Sequence, residues 1–252
     1  MTFAIIIQAR MASSRLPGKV LLDLAGRTVL SHVVGRCRAI RNADVVCCAV
    51  SENRDSDIVA QESERCGATV FRGSELDVLD RYYHAAVSLN AQVVLRVTSD
   101  CPLIDPQIAE KVVDLLIKEK ADFATNNLPP SWPHGLDCEA FTFSWLERAF
   151  NEATDSDERE HVSPFMRRHP DARIVNLEGP GGKLIDQRWT LDYPEDLEFL
   201  RALLSELPSL PQIPSMATVL EVLKKRSDIF DLNRIRTTTR KVKGTDNRNR
   251  NF

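Results

Sequence analysis

The sequence predicts an α/β fold in which a mostly parallel β-sheet is covered by helices on both faces. Short apolar runs rich in β-branched residues alternate with segments whose apolar residues recur at helical spacing. The first run, Phe3–Gln8, leads through a long loop to a helix predicted over Thr28–Ile40. A chain of 252 residues can bury a substantial core, which suits one large domain.

The alternation continues regularly to about residue 123. Further strands are predicted at Val45–Val50, Thr69–Phe71, Val93–Val97 and near Phe123. The helices between them are predicted at Ser56–Cys66, Val78–Leu89 and Ile108–Lys118. In an open parallel sheet the carboxyl ends of the strands share one edge, and ligands bind there.

The pattern changes after residue 125. The stretch 126–135 is rich in Pro and Asn, and Leu136–Phe143 looks extended but lies outside the regular alternation. We therefore predict an inserted lobe over about 126–168, with helices at Trp145–Ala153 and Glu158–Arg168. The later predicted elements are strands at Ile174–Leu177 and Gln187–Leu191 and helices at Leu197–Leu204 and Ala217–Leu223. Residues 1–236 would form the domain, and 237–252, which lack apolar periodicity, a disordered basic tail.

The composition limits the partners that the protein can have. A net charge of −3 gives no general electrostatic footprint for nucleic acid, so a phosphate ligand needs a local cationic site. The longest apolar runs have the length of a strand and are too short to cross a bilayer. The six cysteines form no C-x-x-C pair and are expected to be reduced. We expect a cytoplasmic protein that binds neither nucleic acid nor membranes.

The loop after the first strand concentrates positive charge. It carries three cations and two hydroxyls, namely Arg10, Arg15, Lys19, Ser13 and Ser14. Guanidinium groups bind phosphate oxygens in pairs, and lysine supplies a mobile point charge. The loop is not a Walker A motif, because Val20 follows Lys19 and no glycine stands at position 13. It predicts a triphosphate site; the alternative is a solvated basic loop.

Two aspartates are candidates for a metal site. Asp100 follows the strand predicted at Val93–Val97, and Asp192 follows the one predicted at Gln187–Leu191. Magnesium bound to a nucleotide takes only one or two protein carboxylates, so such a pair is chemically sufficient. The alternative for Asp100 is capping of the next helix, which is the role we predict for Asp105.

The stretch Ile5–Leu21, which reads IIIQARMASSRLPGKVL, resembles the opening signature of the cytidylyltransferase superfamily. That group includes 3-deoxy-manno-octulosonate and acylneuraminate cytidylyltransferases, and the chain is most similar to its spore-coat polysaccharide biosynthesis branch. The resemblance extends to about residue 233 through Phe71–Ser74, Asp77–Tyr82, Thr98–Pro106, Glu158–Pro164 and Thr190–Glu198.

This resemblance implies a fold, a reaction and partners. The fold would be the three-layer, Rossmann-like nucleotide-diphospho-sugar transferase fold with an inserted dimerisation lobe. The enzyme would transfer CMP from CTP to an acidic sugar, of the nonulosonic or octulosonic acid class, and release pyrophosphate. Mg²⁺ would be the cofactor, and a homodimer is expected.

The resemblance also implies roles for individual residues. Those implied to bind the nucleotide are Ala9, Arg10, Ser13, Arg15, Lys19, Arg72, Arg81 and Asp100, of which Arg15, Lys19 and Asp100 would be catalytic. Asp100 and Asp192 would bind the metal. Those implied to lie near the acceptor are Gly135, Asp137, Glu139, Glu160 and His161. For Arg81 the alternative is a surface ion pair with Asp77, and for His161 it is a packed structural histidine.

Two other functions stay open from the sequence. A nucleotide-sugar-dependent glycosyltransferase can use the same kind of sheet, although Ser99–Pro102 lacks the Asp-x-Asp motif that such enzymes often carry. A non-catalytic module that senses nucleotides or sugars is the second alternative; loss of Arg15, Lys19 or Asp100 would favour it, yet all three are present.

Overall fold

The structure is a computed structural model that describes residues 1–209 and 211–237. Its β-strands are β1 (Phe3–Ala9), β2 (Asp23–Leu24), β3 (Arg27–Thr28), β4 (Val45–Ser51), β5 (Thr69–Gly73), β6 (Val93–Thr98), β7 (Phe123–Thr125), β8 (Glu139–Thr142) and β9 (Ile174–Asn176). Its α-helices are α1 (Val29–Cys37), α2 (Asp57–Arg65), α3 (Val78–Ser88), α4 (Pro106–Lys118), α5 (Phe143–Glu152), α6 (Ser156–His161), α7 (Pro164–Arg168), α8 (Pro194–Ser205), α9 (Met216–Lys225) and α10 (Ser227–Asp231). Of the predicted tail, residues 238–252 lie outside the described residues.

Seven of the strands form one sheet in the order β5-β4-β1-β6-β8-β7-β9. The central strand β1 pairs in parallel with β4 on one side and β6 on the other. Strand β8 runs antiparallel to both β6 and β7, while β9 is parallel to β7. The predicted α/β class with a mixed, mostly parallel sheet is confirmed.

The sheet is buried on both faces. In β1, Ile5 and Ile7 pack into one core cluster with residues of α1, α2 and α4, whereas Ala4 and Ile6 pack into a second cluster with α3 and α5. Successive side chains of a strand point to opposite faces, so a strand covered on both sides reads as a continuous apolar run. The three predicted layers are present.

The range 126–168 departs from its prediction in one respect. We predicted that Leu136–Phe143 is extended and, as part of an inserted lobe, outside the regular alternation; it does contain a strand, β8, but that strand lies in the main sheet between β6 and β7. The reason is burial on both faces, because Ala140 belongs to one core cluster and Phe141 to the other. Trp145 and Leu146 of α5 then cover the sheet. The dimerisation role of this range stays a prediction.

The strand predicted at Gln187–Leu191 is wrong. This segment makes only an isolated bridge between Arg188 and His134. Its alternating apolar residues, Trp189 and Leu191, pack instead into a third core cluster with α8 and α9. The apolar residues alternate because one side of the segment is buried, although the segment forms no strand of the sheet.

Two shorter predictions concern helix ends. The helix predicted over Glu158–Arg168 is divided into α6 and α7, because Pro164 has no N–H to continue the ladder and begins α7 instead. The capping role of Asp105 is confirmed, since its side chain accepts from the backbone N–H groups of Gln107 and Ile108 at the start of α4. Of the helices in residues 1–209 and 211–237, none is both long and apolar enough to cross a membrane.

Candidate active site

A cavity of about 370 Å³ opens at the carboxyl edge of the sheet, where β1 and β6 end. The structure brings ten of the predicted residues to its wall: Ala9, Arg10, Ser13, Arg15, Lys19, Arg81, Asp100, Glu160, His161 and Asp192. Four others, Arg72, Gly135, Asp137 and Glu139, do not line it. The ten come from five separate stretches of chain, and the parallel strands β1 and β6 bring two of these stretches to the same edge.

Lys19 is the centre of the site. Its Nζ donates to Oδ2 of Asp100 at 2.8 Å, to Oδ1 of Asp192 at 3.0 Å and to the carbonyl oxygen of Leu191 at 2.9 Å. The side chain is largely buried, so solvent screens these charges weakly. One ammonium group therefore holds together the two carboxylates that were predicted to bind a metal.

The charges of this cluster stabilise one another. Burial by itself would raise the pKa of Asp100, but the ammonium of Lys19 outweighs that effect and lowers it to about 2. The pKa of Asp192 is lowered as well, because Lys19 opposes the effect of its burial. Burial would lower the pKa of Lys19, yet the two carboxylates raise it above its usual value. At neutral pH all three groups are therefore charged.

Asp192 is bound by two guanidinium groups in addition to Lys19. The Nη2 of Arg15 lies 2.8 Å from Oδ1 of Asp192, and the Nη2 of Arg188 lies 3.1 Å from Oδ2. The Arg15 guanidinium also lies 4.9 Å from the ring centroid of Tyr193. Arg15 is 48% exposed at the cavity mouth, which leaves it able to contact a ligand.

Arg81 is a buried cation that forms no ion pair with a carboxylate among residues 1–209 and 211–237. Only 1% of the residue is exposed, its Nη1 donates to the carbonyl oxygen of Ser74 at 2.8 Å, and its Nε has no hydrogen-bond partner within the described chain. Burial lowers the pKa of its guanidinium. The predicted alternative, an ion pair with Asp77, is wrong because Asp77 caps α3 and pairs with Arg159 at 2.5 Å. Donors of Arg81 thus remain for a ligand.

The end of α6 forms another part of the cavity wall. Glu160 lies 3.6 Å from the guanidinium of Arg10, and His161 is largely exposed, 3.7 Å from Asp157. The alternative of a packed structural histidine is therefore wrong. Both Glu160 and His161 face the cavity, and α6 packs against α3.

Three of the residues outside the cavity have structural contacts. Arg72 binds the carbonyl oxygens of Ser51 and Asn53 and the carboxylate of Asp57 at the edge of the sheet. Gly135 has a φ of 110°, and a Cβ there would lie 2.6 Å from the backbone carbon of Trp189. Asp137 accepts from the N–H of Gly135 at 3.1 Å. These contacts commit the three residues to the scaffold outside the cavity wall.

Glu139 is the fourth, and it forms a buried ion pair beneath the cavity. Its Oε2 accepts from Nη1 of Arg96 at 2.8 Å, and its Oε1 accepts from the hydroxyl of Ser163 at 2.9 Å. Arg96 and Glu139 face each other in the antiparallel register of β6 and β8. The carboxylate of Glu139 is thus committed to the sheet rather than directed at an acceptor.

Replacing Glu139 by alanine is expected to lower the free energy of unfolding by about 3–5 kcal/mol, because a buried charge loses its partner. Urea denaturation measures this loss. Glu221→Ala, which breaks the pair between the exposed side chains of Glu221 and Lys224, is the control and should change stability little. Equal losses in the two variants would contradict the assignment.

The sequence reasoning missed several residues of the site. Three of them line the cavity: Gln8, Arg96 and Thr98. A fourth, Arg188, does not line the cavity, but its guanidinium binds the carboxylate of Asp192. Arg96 did carry a signal, because a charged residue within an apolar strand is rarely buried unless it is paired. Arg188 lies in the segment that was mistaken for a strand, so no sequence pattern indicated its role.

The two aspartates suit a nucleotide-bound metal ion. The described residues contain no group of three or more His, Cys, Asp or Glu side chains that could hold a metal ion by themselves. Asp100 and Asp192 offer ionised carboxylates at one wall of the cavity. This pair matches a magnesium ion whose remaining ligands are phosphate oxygens and water.

Known proteins resemble this chain both in sequence and in structure. A model of the cytidylyltransferase family matches residues 4–212. The chain is 33% identical over 204 residues to the spore coat polysaccharide biosynthesis protein SpsF of Bacillus subtilis, which covers 79% of this chain and 84% of that protein. It is 37% identical over 112 residues to a 3-deoxy-manno-octulosonate cytidylyltransferase of an Anaeromyxobacter species, which covers 44% of this chain and 45% of the relative. It superposes on a cytidylyltransferase from Leptospira borgpetersenii with a TM-score of 0.86 and 32% identity, over 91% of this chain and 97% of the other. The chain therefore belongs to the cytidylyltransferase family.

Proposed function

We propose that this enzyme transfers CMP from CTP to an acidic sugar and releases pyrophosphate, as a step in the biosynthesis of a surface polysaccharide or glycan. The observation that carries the proposal is the placement of Lys19 between Asp100 and Asp192 in a cationic cavity. The relatives support the substrate class, since one is named for 3-deoxy-manno-octulosonate and another for spore coat polysaccharide. Membership of the family leaves the glycosyltransferase and the sensing module without support.

The charge of the cavity suits a triphosphate. Five cationic and three acidic side chains line it within the described chain, and the cations are Arg10, Arg15, Lys19, Arg81 and Arg96. The positive excess lies at the end of the central strand and in the loop that follows it. Charge of this sign, held in a partly buried cleft, attracts and orients polyphosphate.

The reaction would be an in-line displacement at the α-phosphorus of CTP. A hydroxyl oxygen of the sugar forms a bond to this phosphorus while the bond to the pyrophosphate oxygen breaks, and the hydroxyl proton leaves to solvent or to a phosphate oxygen. Lys19 and Arg15 would bind the leaving pyrophosphate. Asp100 and Asp192 would hold Mg²⁺, which neutralises phosphate charge when it is bound. Most of the acceleration would then come from positioning and charge.

Arg81 supports the binding of a nucleoside at the side of the cavity near α3. Within the described part of the chain, the one hydrogen bond of the buried Arg81 guanidinium goes to a backbone carbonyl, so other donors are left for the carbonyl and ring-nitrogen acceptors of a base or for a phosphate oxygen. Ala9 and Ser13 of the first loop line the same cavity. We assign these residues to the nucleotide and Glu160 and His161 to the acceptor.

The remaining implied partner is a second copy of the chain. The homodimer stays a proposal, as does the part of the range 126–168 in forming it. Gly135, Asp137 and Glu139 are no longer proposed as acceptor contacts, since each is committed to the scaffold.

Pyrophosphate release from each of the four nucleoside triphosphates, with Mg²⁺ and a panel of octulosonic and nonulosonic acids, tests the proposal. We expect release with CTP and one class of sugar acid. We expect no release when the carboxylate of that sugar is replaced by a neutral primary alcohol. Turnover of CTP with a neutral sugar alone would contradict the acidic acceptor. Failure to bind CTP in a parallel calorimetric titration would contradict the nucleotide assignment.

A further inference from the structure

We propose that the C-terminal segment, residues 226–236, is a positioning element of the active site that holds both Asp192 and Arg15. It comprises α10 and a short 3-10 turn at Arg234–Arg236. The match to the family model ends at residue 212, so this segment lies beyond it. The inference rests on the proposed function only in taking Asp192 and Arg15 as groups that face the ligand.

Asp192 requires support because no strand ladder precedes it. The side chain of Asp196 supplies this support: its Oδ2 accepts from the backbone N–H groups of Asp192 and Tyr193 at 2.9 and 3.0 Å. Asp196 is fully buried and also forms two hydrogen bonds with Arg188. Arg188 in turn binds the carboxylate of Asp192. The orientation of Asp192 thus depends on how Asp196 and Arg188 are held.

Asn233 of the C-terminal segment holds both of them. Its Nδ2 donates to Oδ1 of Asp196 at 3.1 Å and to the carbonyl oxygen of Arg188 at 2.9 Å. Asn233 is only 4% exposed, so water does not readily replace these bonds. A single amide group therefore joins the two ends of the turn that carries Asp192.

A second contact from the same segment reaches Arg15. The guanidinium of Arg236 lies 4.1 Å from the ring centroid of Tyr193 and donates to Glu195 at 2.9 Å. The hydroxyl of Tyr193 accepts from Arg15 at 3.4 Å, and its ring also faces the Arg15 guanidinium. Arg236 thereby fixes the tyrosine against which Arg15 packs.

The segment itself is anchored to the body of the protein. Ile229 of α10 is buried in the third core cluster, beside residues of α8 and α9. An element with its own core contacts can transmit its position to the turn that it contacts. The two links, one ending at Asp192 and one at Arg15, converge on the residues that would hold the metal and the pyrophosphate.

The variants Asn233→Ala and Arg236→Met test the inference, with Arg36→Met as the matched control. Arg36 also ties the C-terminal part of the chain to the body, but through the carbonyl oxygens of Ile104 and Pro214. Two measurements need no acceptor: amide hydrogen exchange of the peptide around Asp192 and Tyr193, and calorimetric binding of CTP with MgCl₂.

In the Asn233 variant we expect the amides of Asp192 and Tyr193 to exchange about tenfold faster, because the carboxylate of Asp196 that accepts from them loses its hydrogen bond from Asn233. Its affinity for CTP should fall about 10- to 100-fold, because groups that orient ligands have effects of that size. Arg236→Met should have a smaller effect on CTP affinity, while Arg36→Met should lower the melting temperature only.

Unchanged exchange and unchanged CTP affinity in Asn233→Ala would overturn the inference, as would equal effects in Arg36→Met. A wild-type protein that fails to bind CTP would contradict the proposed function. In that case the exchange measurement alone decides whether Asn233 holds the turn.

Discussion

Replacing Asp100 by asparagine is expected to lower kcat for nucleotidyl transfer by about 10²–10³-fold, since one preorganised electrostatic group contributes about that much to a transition state. The carboxylate is ionised at neutral pH, and its partner Lys19 keeps it so. An amide of the same shape can still accept a hydrogen bond from Lys19 but cannot balance a cation. Steady-state pyrophosphate release measures the loss, and circular dichroism verifies that the variant is folded.

Asp105→Asn is the matched control for this experiment. Asp105 lies in the same stretch of chain, and its side chain caps α4 without lining the cavity. Asparagine caps a helix about as well as aspartate, but it loses the hydrogen bond that Oδ2 of Asp105 accepts from the backbone N–H of Met216. The melting temperature should therefore fall, while turnover should be unchanged. Wild-type rates in Asp100→Asn would show that this carboxylate is not part of the catalytic site.

Replacing Lys19 by methionine is the second change with a large expected effect. The variant loses the charge that would bind the leaving pyrophosphate, and it leaves two carboxylates facing each other without their shared cation. We expect kcat to fall about 10²–10³-fold, as for other groups that stabilise developing charge. Because the pKa of Asp100 is low owing to Lys19, it should also rise in the variant; titration of that carboxyl group by NMR measures the change.

Two further variants complete this experiment, one at position 19 and one control elsewhere. Lys19→Arg retains the charge but presents a planar fork in place of a point charge, so only part of the activity should return. Lys118→Met removes a lysine from the exposed end of α4 and should leave turnover unaffected. Full activity in Lys19→Met would exclude the lysine from pyrophosphate binding.

The structure connects these expectations to the fold. Lys19 follows the central strand, Asp100 follows its neighbour β6, and Asp192 follows a segment that is held without a strand ladder. The first two positions are fixed by parallel pairing, in which strand ends meet at one edge. The third depends on side-chain hydrogen bonds, and it is therefore the part of the site most sensitive to distant substitutions.

The sequence by itself determined the class of the fold and one half of the site. Buried strands and amphipathic helices are encoded by local periodicity, so the main elements up to β7 could be predicted. The basic loop is also local, since Arg10, Arg15 and Lys19 lie within ten residues directly after β1. Asp100 could be predicted for the same reason, because it lies just after the apolar strand β6. These features need no knowledge of which segments pair.

Only the tertiary structure decided the partners of the other polar residues. Arg96 pairs with Glu139 across 43 positions, and Asp77 pairs with Arg159 across 82. The contact of Gly135 with Trp189 likewise joins distant parts of the chain. Periodicity reports which side of a segment is buried, but it does not report what covers that side. For this reason a segment that alternates like a strand proved to be the irregular support of Asp192, and a glutamate that could have faced the substrate proved to be a buried counterion.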